Sequence, residues 1–389
     1  MPPIIRCAYH NSWGPGLRIR DIRTYPVTAP IAPDVQKTAA GNFPFVSALV
    51  VEVIADDGRS GWGEGLVRFG PQAGAAFVQQ VLKPKLLGAD PFEVERLWPE
   101  MARSVSGRSG GLVIESLSAI DIALWDLMGQ SLGVPIHRLL GSTGRTHVAA
   151  YASSISWGPL EIALQQVDDT IALGFRLLKV KLGAPVEAAL ERAAALAERA
   201  AGRARLCADV NWAFDVADAQ RLARGLVELD YFWLEEPIVP EDIEGYRLVA
   251  ASSPIRLAAG ESDFTARGAK DLIAARSVGV IQPDVARSGG ITETRRIASL
   301  AHAFHVHYAP HVGFSGAICV AASLQLAAAM PNFLTFECMF FDNPLRDGMT
   351  RKPVGSARQL QNGELPVPQG PGLGIEVDRD ALEALRARG

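Results

Sequence analysis

The sequence predicts an α/β fold, a modified (β/α)8 barrel with an α+β capping domain. Two observations predict it. After residue 142, eight short apolar segments alternate with helical segments rich in Ala, Leu, Glu and Arg, as is typical of parallel strands buried on both faces. Seven of these strands also end in an ionisable residue, at the end where barrels carry their active sites. An open, doubly wound sheet is the alternative.

Composition and charge set the class of protein. The 389 residues are 48% hydrophobic and 21% charged, which is ordinary for a soluble enzyme of more than one domain. A formal charge of −4 gives no electrostatic reason to expect nucleic acid or an acidic membrane as a partner. The chain has no apolar run of about 18 residues, and its first residues are not expected to form a signal peptide because they lack an apolar h-region. Four scattered cysteines without a CxxC pattern favour a reducing compartment, so a cytoplasmic location is expected.

Residues 17–142 are predicted to form the capping domain. The segments LRIRDIRTYPV and SALVVEVIADDGRSGWGEG carry Val and Ile at period two around a DDG turn, which indicates an antiparallel meander. Residues 28–44, rich in Pro, Gly and Ala, are predicted to be a loop between them. Residues 71–131 have helical periodicity.

Residues 143–350 are predicted to form the barrel. Its eight strands are HVAAYASSI, FRLLKVKL, ARLCADVNW, YFWLEEP, IRLAAGES, VGVIQPDVA, HVHYAPHV and FLTFEC. Helices such as PVEAALERAAALAERAAG and ITETRRIASLAHAF lie between them. The tail, residues 351–389, is rich in proline, ends in the helical segment DRDALEALRAR and is predicted to return to the capping domain.

The ends of strands two to eight repeat one chemical feature. Each delivers an ionisable side chain, and successive positions are 23 to 28 residues apart, which is one strand–helix unit each time. These residues are Lys181, Asp209, Glu235, Glu261, Asp284, His311 and Glu337. Because the carboxyl ends of parallel strands meet at one mouth of a barrel, the seven side chains are expected to converge there.

The three carboxylates of strands three to five predict a metal site. Asp209, Glu235 and Glu261 come from adjacent strands and would repel one another at close range unless a cation neutralised them. An all-oxygen set suits Mg²⁺, which keeps positions open for a substrate. The alternative is three carboxylates paired to Arg or Lys at the barrel mouth.

Two lysines in one strand, LLKVKLG at 177–183, predict a general base. Lys179 and Lys181 point to the same face, where burial and like charge make both ammonium groups costly. A neighbouring positive charge favours a neutral lysine, which is the form that accepts a proton. We therefore expect Lys181 to remove the proton α to a substrate carboxylate, with Lys179 as its neighbouring charge. Mg²⁺ would offset the charge of the enediolate.

The opposite side of the barrel offers a second base. Asp284 and His311 end adjacent strands, and a carboxylate bonded to one imidazole nitrogen raises the basicity of the other. His311 is then expected to face the substrate from the side opposite Lys181. Glu337 either carries a proton or hydrogen-bonds the substrate carboxylate.

With these residues in view, the sequence resembles the mandelate racemase / muconate lactonizing enzyme family of the enolase superfamily, over nearly all of residues 17–385. The resemblance is carried by six motifs: KVK (179–181), DVN (209–211), EEP (235–237), GES (260–262), QPD (282–284) and PH (310–311). In the mandelate racemase-like subgroup it implies Lys179, Lys181, Asp284, His311 and Glu337 as catalytic residues and Asp209, Glu235 and Glu261 as Mg²⁺ ligands. It also implies a homo-oligomer.

The resemblance extends to sugar-acid dehydratases and lactone cycloisomerases, and three functions stay open. The first is Mg²⁺-dependent dehydration of a sugar acid to a 2-keto-3-deoxy acid. The second is racemisation, epimerisation or cycloisomerisation with the same two bases. The third is a Schiff-base aldolase or a sugar-acid-binding barrel without catalysis.

Substrate choice is expected to lie in the capping domain. Residues 28–44 and 66–72 are predicted to close over the barrel mouth. Lys37 and Arg68 are candidates to bind a distal carboxylate, which would favour a diacid, and the alternative for both is exposed surface charge. Asn211 is a candidate to contact the substrate or the metal shell.

Overall fold

The structure is a computed structural model that describes residues 16–32, 37–38, 41–42, 44–105, 107 and 110–387. Its capping sheet confirms the predicted meander. The strands of the capping domain are β1 (Ile19–Pro30), β2 (Lys37–Thr38), β3 (Gly41–Asn42), β4 (Phe45–Ala55) and β5 (Ser60–Gly65). Strands β1, β4 and β5 pair antiparallel in that order, and β2 pairs only with β3.

The predicted loop at 28–44 is wrong at its beginning. Strand β1 continues through Thr28 to Pro30, in unbroken register with the first residues of β4. The side chains of Thr28 and Ser47 lie 2.9 Å apart, so polar residues sustain the pairing that composition alone did not predict.

Helices then cover the sheet, as the periodicity predicted. They are α1 (Pro71–Phe77), a π-helical turn (Val78–Leu82), α2 (Lys83–Leu86), α3 (Val94–Ala102), α4 (Gly111–Leu132) and α5 (Ile136–Leu139). Helix α4 is buried on most of its surface because it lies between the capping sheet and the barrel. Among the helices of the described residues, none combines the length and the apolar composition that a bilayer crossing requires.

The segment GWGEG (61–65) is explained by the packing of β5 against α4. At Gly61, Gly63 and Gly65 an added Cβ would lie 2.1, 1.8 and 2.3 Å from backbone oxygens of α4, so only glycine permits this approach. Because side chains alternate along a strand, Trp62 and Glu64 point away from α4. Glu64 is thereby directed towards the barrel.

The barrel contains the eight predicted strands in chain order. They are β6 (His147–Ile155), β7 (Leu177–Lys181), β8 (Arg205–Asp209), β9 (Trp233–Glu235), β10 (Arg256–Ala259), β11 (Val280–Ile281), β12 (His307–Tyr308) and β13 (Phe336–Met339). The helices between them are α6 (Leu160–Ala172), α7 (Val186–Ala200), α8 (Val216–Glu228), α9 (Ile243–Ser252), α10 (Thr265–Ala274), α11 (Gly290–Ala303) and α12 (Ala317–Ala329).

All neighbouring pairs from β6 to β12 are parallel, and β13 pairs parallel with β6. A bridge between Tyr308 and Phe333 joins β12 to the segment before β13. There Tyr308 N donates to Asn332 O at 2.9 Å, and Leu334 N donates to Tyr308 O at 2.8 Å. The sheet is therefore closed, and the open-sheet alternative is excluded.

The strand ends differ in detail from the prediction. Lys181, Asp209 and Glu235 are the last residues of β7, β8 and β9. Glu261 follows β10 by two residues, whereas Asp284 and His311 each follow their strands by three. Glu337 is the second residue of β13, not its last. The backbone pairing nevertheless extends beyond the strands, because Asp284 and His311 form a parallel bridge of their own.

The tail contacts both parts of the molecule. Helix α13 (Pro344–Gly348) precedes the tail, which contains a 3-10 turn (Ala357–Gln359), β14 (Glu364–Pro366) and α14 (Arg379–Ala384). Strand β14 pairs antiparallel with β6 of the barrel. The chain after α14 bonds to β1, where Thr28 N donates to Leu385 O and Ala387 N donates to Pro26 O. The division into 17–142, 143–350 and 351–389 stays a prediction.

Candidate active site at the mouth of the barrel

The lysine pair of β7 lies inside the barrel and is bonded to carboxylates. Lys179 Nζ lies 2.6 Å from Glu235 Oε1 and 2.7 Å from Glu337 Oε1, and Lys181 Nζ donates to Asp209 Oδ2 and, at 3.1 Å, to Asn211 Oδ1. Burial alone would lower the pKa of Lys179, but Glu235 and Glu337 outweigh it and hold the pKa well above its usual value. Lys179 is thus a permanent positive charge beside Lys181.

The three predicted metal ligands converge. One carboxylate oxygen each from Asp209, Glu235 and Glu261 lie within 4.8 Å of one another, and all three residues are buried. Burial raises the pKa of Glu235 to about 7 against the opposing effect of Lys179, and repulsion from Asp209 adds to the rise. Counted as formal charges, the three carboxylates exceed the two ammonium groups of Lys179 and Lys181 that are paired with them. An all-oxygen set with excess negative charge fits a hard divalent cation such as Mg²⁺.

Two donors that the sequence did not reveal orient the middle carboxylate. Trp233 Nε1 and Gln282 Nε2 both donate to Glu235 Oε2, at 3.0 and 2.9 Å. The other oxygen, Oε1, is left facing the carboxylate cluster and Lys179. Gln282 belongs to QPD (282–284), where only the aspartate was singled out. Its place in that motif was the feature of the sequence that could have indicated a role for Gln282 in the site.

Glu236, the second acid of EEP, ties the loops of the cluster together. It accepts hydrogen bonds from Gly260 N at 2.9 Å, Trp212 Nε1 at 2.8 Å and Tyr246 Oη at 2.9 Å. Asn211, Trp212 and Glu236 all have positive φ, at 42°, 63° and 46°, so the loops after β8 and β9 bend sharply here. The sequence did not predict this role of Glu236, because no sequence pattern marks a glutamate that only holds loops together.

The Asp284 and His311 side chains form the expected contact on the other side of the cluster. His311 Nδ1 lies 2.7 Å from Asp284 Oδ2, and Nε2 lies 3.5 Å from Glu261 Oε2. Burial lowers the pKa of His311, but Glu261, Glu337 and Asp284 together raise it to about 9. The imidazole therefore favours its protonated form at neutral pH.

Glu337 bridges the two sides of the site. It accepts hydrogen bonds from Ser153 Oγ, Lys179 Nζ and Val312 N, each at 2.7 Å. Burial raises the pKa of Glu337, but Lys179 and His311 outweigh it and hold the pKa well below the usual range. Three donors to this carboxylate favour its ionised form, and the role of Glu337 towards a substrate carboxylate stays a prediction.

The predicted substrate contacts lie at different distances from this cluster. Asn211 is bonded to Lys181 and so lies inside it. Arg68 Nη2 donates to Gly313 O at 3.1 Å, and its guanidinium lies 5.6 Å from the Phe314 ring, which places it beside the His311 loop. Lys37 lies in β2, and its role in substrate binding stays a prediction.

Gly313 lies directly beside the imidazole. A Cβ at this position would come within 2.6 Å of His311 Nε2, so any other residue here would displace either the loop or the ring. Arg68 is therefore bonded to Gly313, which lies against the imidazole of His311, the group expected to act on the substrate.

The fold and the site together define a class: a capped (β/α)8-barrel enzyme with a carboxylate cluster and basic residues at its mouth. Family models agree with this class. Residues 20–141 match the N-terminal domain of mandelate racemase / muconate lactonizing enzyme, and residues 163–381 match the enolase C-terminal domain-like family. The chain belongs to the mandelate racemase / muconate lactonizing enzyme family of the enolase superfamily.

Curated relatives span nearly the whole chain. The chain is 35% identical to a D-galactarolactone cycloisomerase of Agrobacterium fabrum, over 90% of this chain and 94% of that protein. It is 32% identical to a D-xylonate dehydratase of Haloferax volcanii, over 92% of this chain and 89% of that protein. Relatives of both reaction types thus share the full architecture.

Solved structures give the same picture. The 3,6-anhydro-D-galactonate cycloisomerase of Zobellia galactanivorans superposes with a TM-score of 0.85 at 32% identity, over 95% of this chain and 100% of that one. A racemase from Streptomyces coelicolor A3(2) with bound magnesium superposes with a TM-score of 0.86 at 28% identity, over the same shares of the two chains.

Proposed function

We propose that this protein removes the proton α to the carboxylate of a sugar acid, in a Mg²⁺-dependent reaction, and dehydrates the acid to a 2-keto-3-deoxy product. One observation carries the proposal. The two proton-transfer groups flank the carboxylate cluster: Lys181 bonds to Asp209 at one end, and His311 lies beside Glu261 at the other. A substrate between them would present one face of its Cα to Lys181 and the other to His311.

Asp209, Glu235 and Glu261 would hold the magnesium ion, whose chemistry is to offset negative charge on the substrate carboxylate. The bound magnesium of the S. coelicolor racemase supports this assignment. Lys181 acts as the base, and Lys179 lies beside it as a fixed positive charge. Asn211, which bonds to Lys181 Nζ, holds the base in place.

His311 is suited to act as the acid that releases the β-hydroxyl. Burial lowers the pKa of His311, but Glu261, Glu337 and Asp284 raise it to about 9. A proton is therefore available on the imidazole at neutral pH. Asp284 supports the imidazolium, the acid form of His311, through its contact with Nδ1. Loss of hydroxide as water from the enediolate gives an enol, which becomes the 2-keto acid after it takes a proton at C3.

Cycloisomerisation of a sugar-acid lactone is the second candidate. The observation that favours it is the 35% identity to the D-galactarolactone cycloisomerase over nearly the full length of both chains. The same two bases would serve it, as they would serve a racemase. A Schiff-base aldolase is disfavoured because its chemistry does not need three carboxylates at metal-binding spacing.

Arg68 is proposed to bind the distal end of the substrate, through either a second carboxylate or hydroxyl groups, together with Lys37 of the capping domain. Its guanidinium lies beside the His311 loop, within reach of a chain extending from the cluster. A diacid substrate predicts that Arg68→Met raises KM for galactarate at least tenfold more than for galactonate. Equal effects on both substrates would mean that Arg68 does not read the second carboxylate. Homo-oligomerisation and a cytoplasmic location stay predictions.

A substrate panel tests the reaction type. D-xylonate, D-galactonate, D-galactarate and D-galactarolactone would each be incubated with the protein, with and without Mg²⁺. A 2-keto acid that forms only with Mg²⁺ supports dehydration. Consumption of the lactone without keto acid supports the second candidate. Turnover that is undiminished in EDTA would contradict both.

A further inference from the structure

The capping domain contacts the barrel at the two units that carry the Asp284–His311 pair. Asp284 lies between β11 and α11, and the cap residue Asp121 accepts from the backbone N of Thr292 at 2.9 Å and from its Oγ1 at 2.6 Å, in the first turn of α11. His311 lies between β12 and α12. The cap residue Glu64 accepts from Gly316 N at 2.6 Å and Cys319 N at 3.0 Å, at the start of α12.

Both cap carboxylates are completely buried, and each stabilises a helix end that would otherwise leave backbone N–H groups unbonded. Each carboxyl group also lies at the positive end of a helix macrodipole, which favours its ionised form. Removing either carboxylate would leave buried backbone donors unsatisfied. The position of each helix is therefore tied to the cap.

The cap also contacts the two loops that carry Asp284 and His311. Leu66 N donates to Ala286 O at 2.9 Å, two residues after Asp284. Trp98 Nε1 donates to Gly289 O at 2.8 Å in the same loop. In the other loop, the cap residue Arg68 donates from Nη2 to Gly313 O at 3.1 Å, and Gly313 lies close against the imidazole of His311.

The lysine and carboxylate side of the site is held differently. Glu235 is oriented by Trp233 and Gln282, and Glu236 fixes the loop of Glu261 through Gly260 N. Each of these partners belongs to the barrel. The direct partners of this side are thus barrel residues, and Gln282 is the one among them that lies close in sequence to the Asp284 loop.

We propose that Glu64 and Asp121 are positioning residues for the His311–Asp284 pair, so that docking of the cap sets the imidazole without setting the lysine and metal side. The inference rests on the proposed function only where it gives His311 a role in proton transfer. Loss of either cap carboxylate should impair steps that use His311 while steps that use Lys181 continue.

Glu64→Gln and Asp121→Asn test this directly, with Asp126→Asn as the matched control. Asp126 is also a buried cap carboxylate that accepts two backbone N–H bonds, from Trp62 and Leu373 at 2.8 Å each, but neither donor belongs to the loops of the pair. The control should therefore lose a similar amount of stability without the selective effect. Should Glu64→Gln fail to fold, Glu64→Asp keeps the charge and retracts it by one methylene.

Two readouts separate this inference from the proposed function. The first needs no substrate: the Nδ1–H proton of His311, bonded to Asp284, is followed by NMR of ¹⁵N-histidine-labelled protein while Mg²⁺ affinity is measured by calorimetry. We expect the His311 signal to shift or disappear in Glu64→Gln and Asp121→Asn, with Mg²⁺ affinity within twofold of the wild type. An unchanged His311 signal in both variants would overturn the inference, whatever the enzyme does to sugar acids.

The second readout is α-proton exchange in D₂O with D-galactonate and its C2 epimer D-talonate, which present that proton to opposite faces. Glu64→Gln should lose at least tenfold in exchange from the His311 face and less than threefold from the Lys181 face. Equal losses on both faces, matched by Asp126→Asn, would make the role merely structural and overturn the inference. If the wild type exchanges neither proton, the proposed function fails for these acids and the NMR result alone decides the inference.

Discussion

Replacing Gln282 by leucine should weaken Mg²⁺ binding about tenfold to a hundredfold, the usual effect of removing a group that orients a metal ligand. Gln282 does not itself belong to the carboxylate cluster. It holds Glu235 Oε2 at 2.9 Å and so leaves Oε1 facing the other two carboxylates. Leucine has a similar volume, so the change removes the hydrogen bond and leaves the packing of the barrel largely intact.

The structure limits the size of this effect. Oε2 keeps its second donor, Trp233 Nε1 at 3.0 Å, so half of its hydrogen bonds are lost. A hydrogen bond to a charged group contributes about 1.5–3 kcal/mol. Since 1.4 kcal/mol corresponds to tenfold in affinity, the loss should be about one to two orders of magnitude.

Isothermal titration of Mg²⁺ measures the effect. Gln325→Leu is the matched control, because Gln325 is also a buried glutamine but donates to Pro368 O and Leu373 O, away from the cluster. The control should lose stability and keep its Mg²⁺ affinity. A Gln282→Leu protein that binds Mg²⁺ as tightly as the wild type would refute the idea that Gln282 orients a metal ligand.

Three other variants test the site and its surroundings. Glu235→Gln should abolish activation by Mg²⁺ while the protein stays folded by circular dichroism, because a ligand at the barrel mouth contributes little to the core; full activation would contradict its role as a ligand. Lys179→Met removes a positive charge beside Lys181, so the limb of the kcat/KM profile that rises with pH should move to higher pH, and an unmoved limb would mean that Lys179 does not tune the base. Burial raises the pKa of Asp126 to about 6, so as pH rises the unfolded chain loses this proton before the folded one does, and stability falls. Between pH 5 and pH 7 the wild-type free energy of unfolding should therefore fall by about 1 kcal/mol more than that of Asp126→Asn in urea titrations, and parallel curves would contradict the assigned pKa.

The chemistry at the strand ends could be read from the sequence because the barrel repeats it once per strand–helix unit. Asp209, Glu235 and Glu261 needed only the expectation that parallel strands end at one mouth, and the structure places them together. The exact strand ends could not be read in this way. Strands β11 and β12 have two residues each, so Asp284 and His311 lie in loops whose pairing is set by tertiary contacts.

The groups that hold the site in place could not be predicted from the sequence. Glu64 lies 252 residues before Gly316, whose N–H donates to it, and Asp121 lies 171 residues before Thr292, whose N–H donates to it. No local periodicity or spacing connects such pairs, because the contact exists only once the cap has docked. Gln282 and Glu236 lie inside motifs that were recognised in the sequence. Their roles were still not predicted, because no sequence pattern distinguishes them from ordinary buried polar residues.

Incubation in D₂O with Mg²⁺, followed by NMR, decides whether Lys181 and His311 act as opposed proton-transfer groups on a sugar acid. With the acid that the substrate panel identifies, the wild type should give a 2-keto-3-deoxy product carrying deuterium at C3. His311→Asn should form no keto acid and still exchange the α-proton of the epimer that faces Lys181, whereas Lys181→Ala should lose that exchange. Substrate recovered with deuterium only at C2, inverted configuration and no keto acid would contradict dehydration. A product that forms at the wild-type rate in the Lys181→Ala, His311→Asn double variant would contradict proton abstraction by these residues altogether.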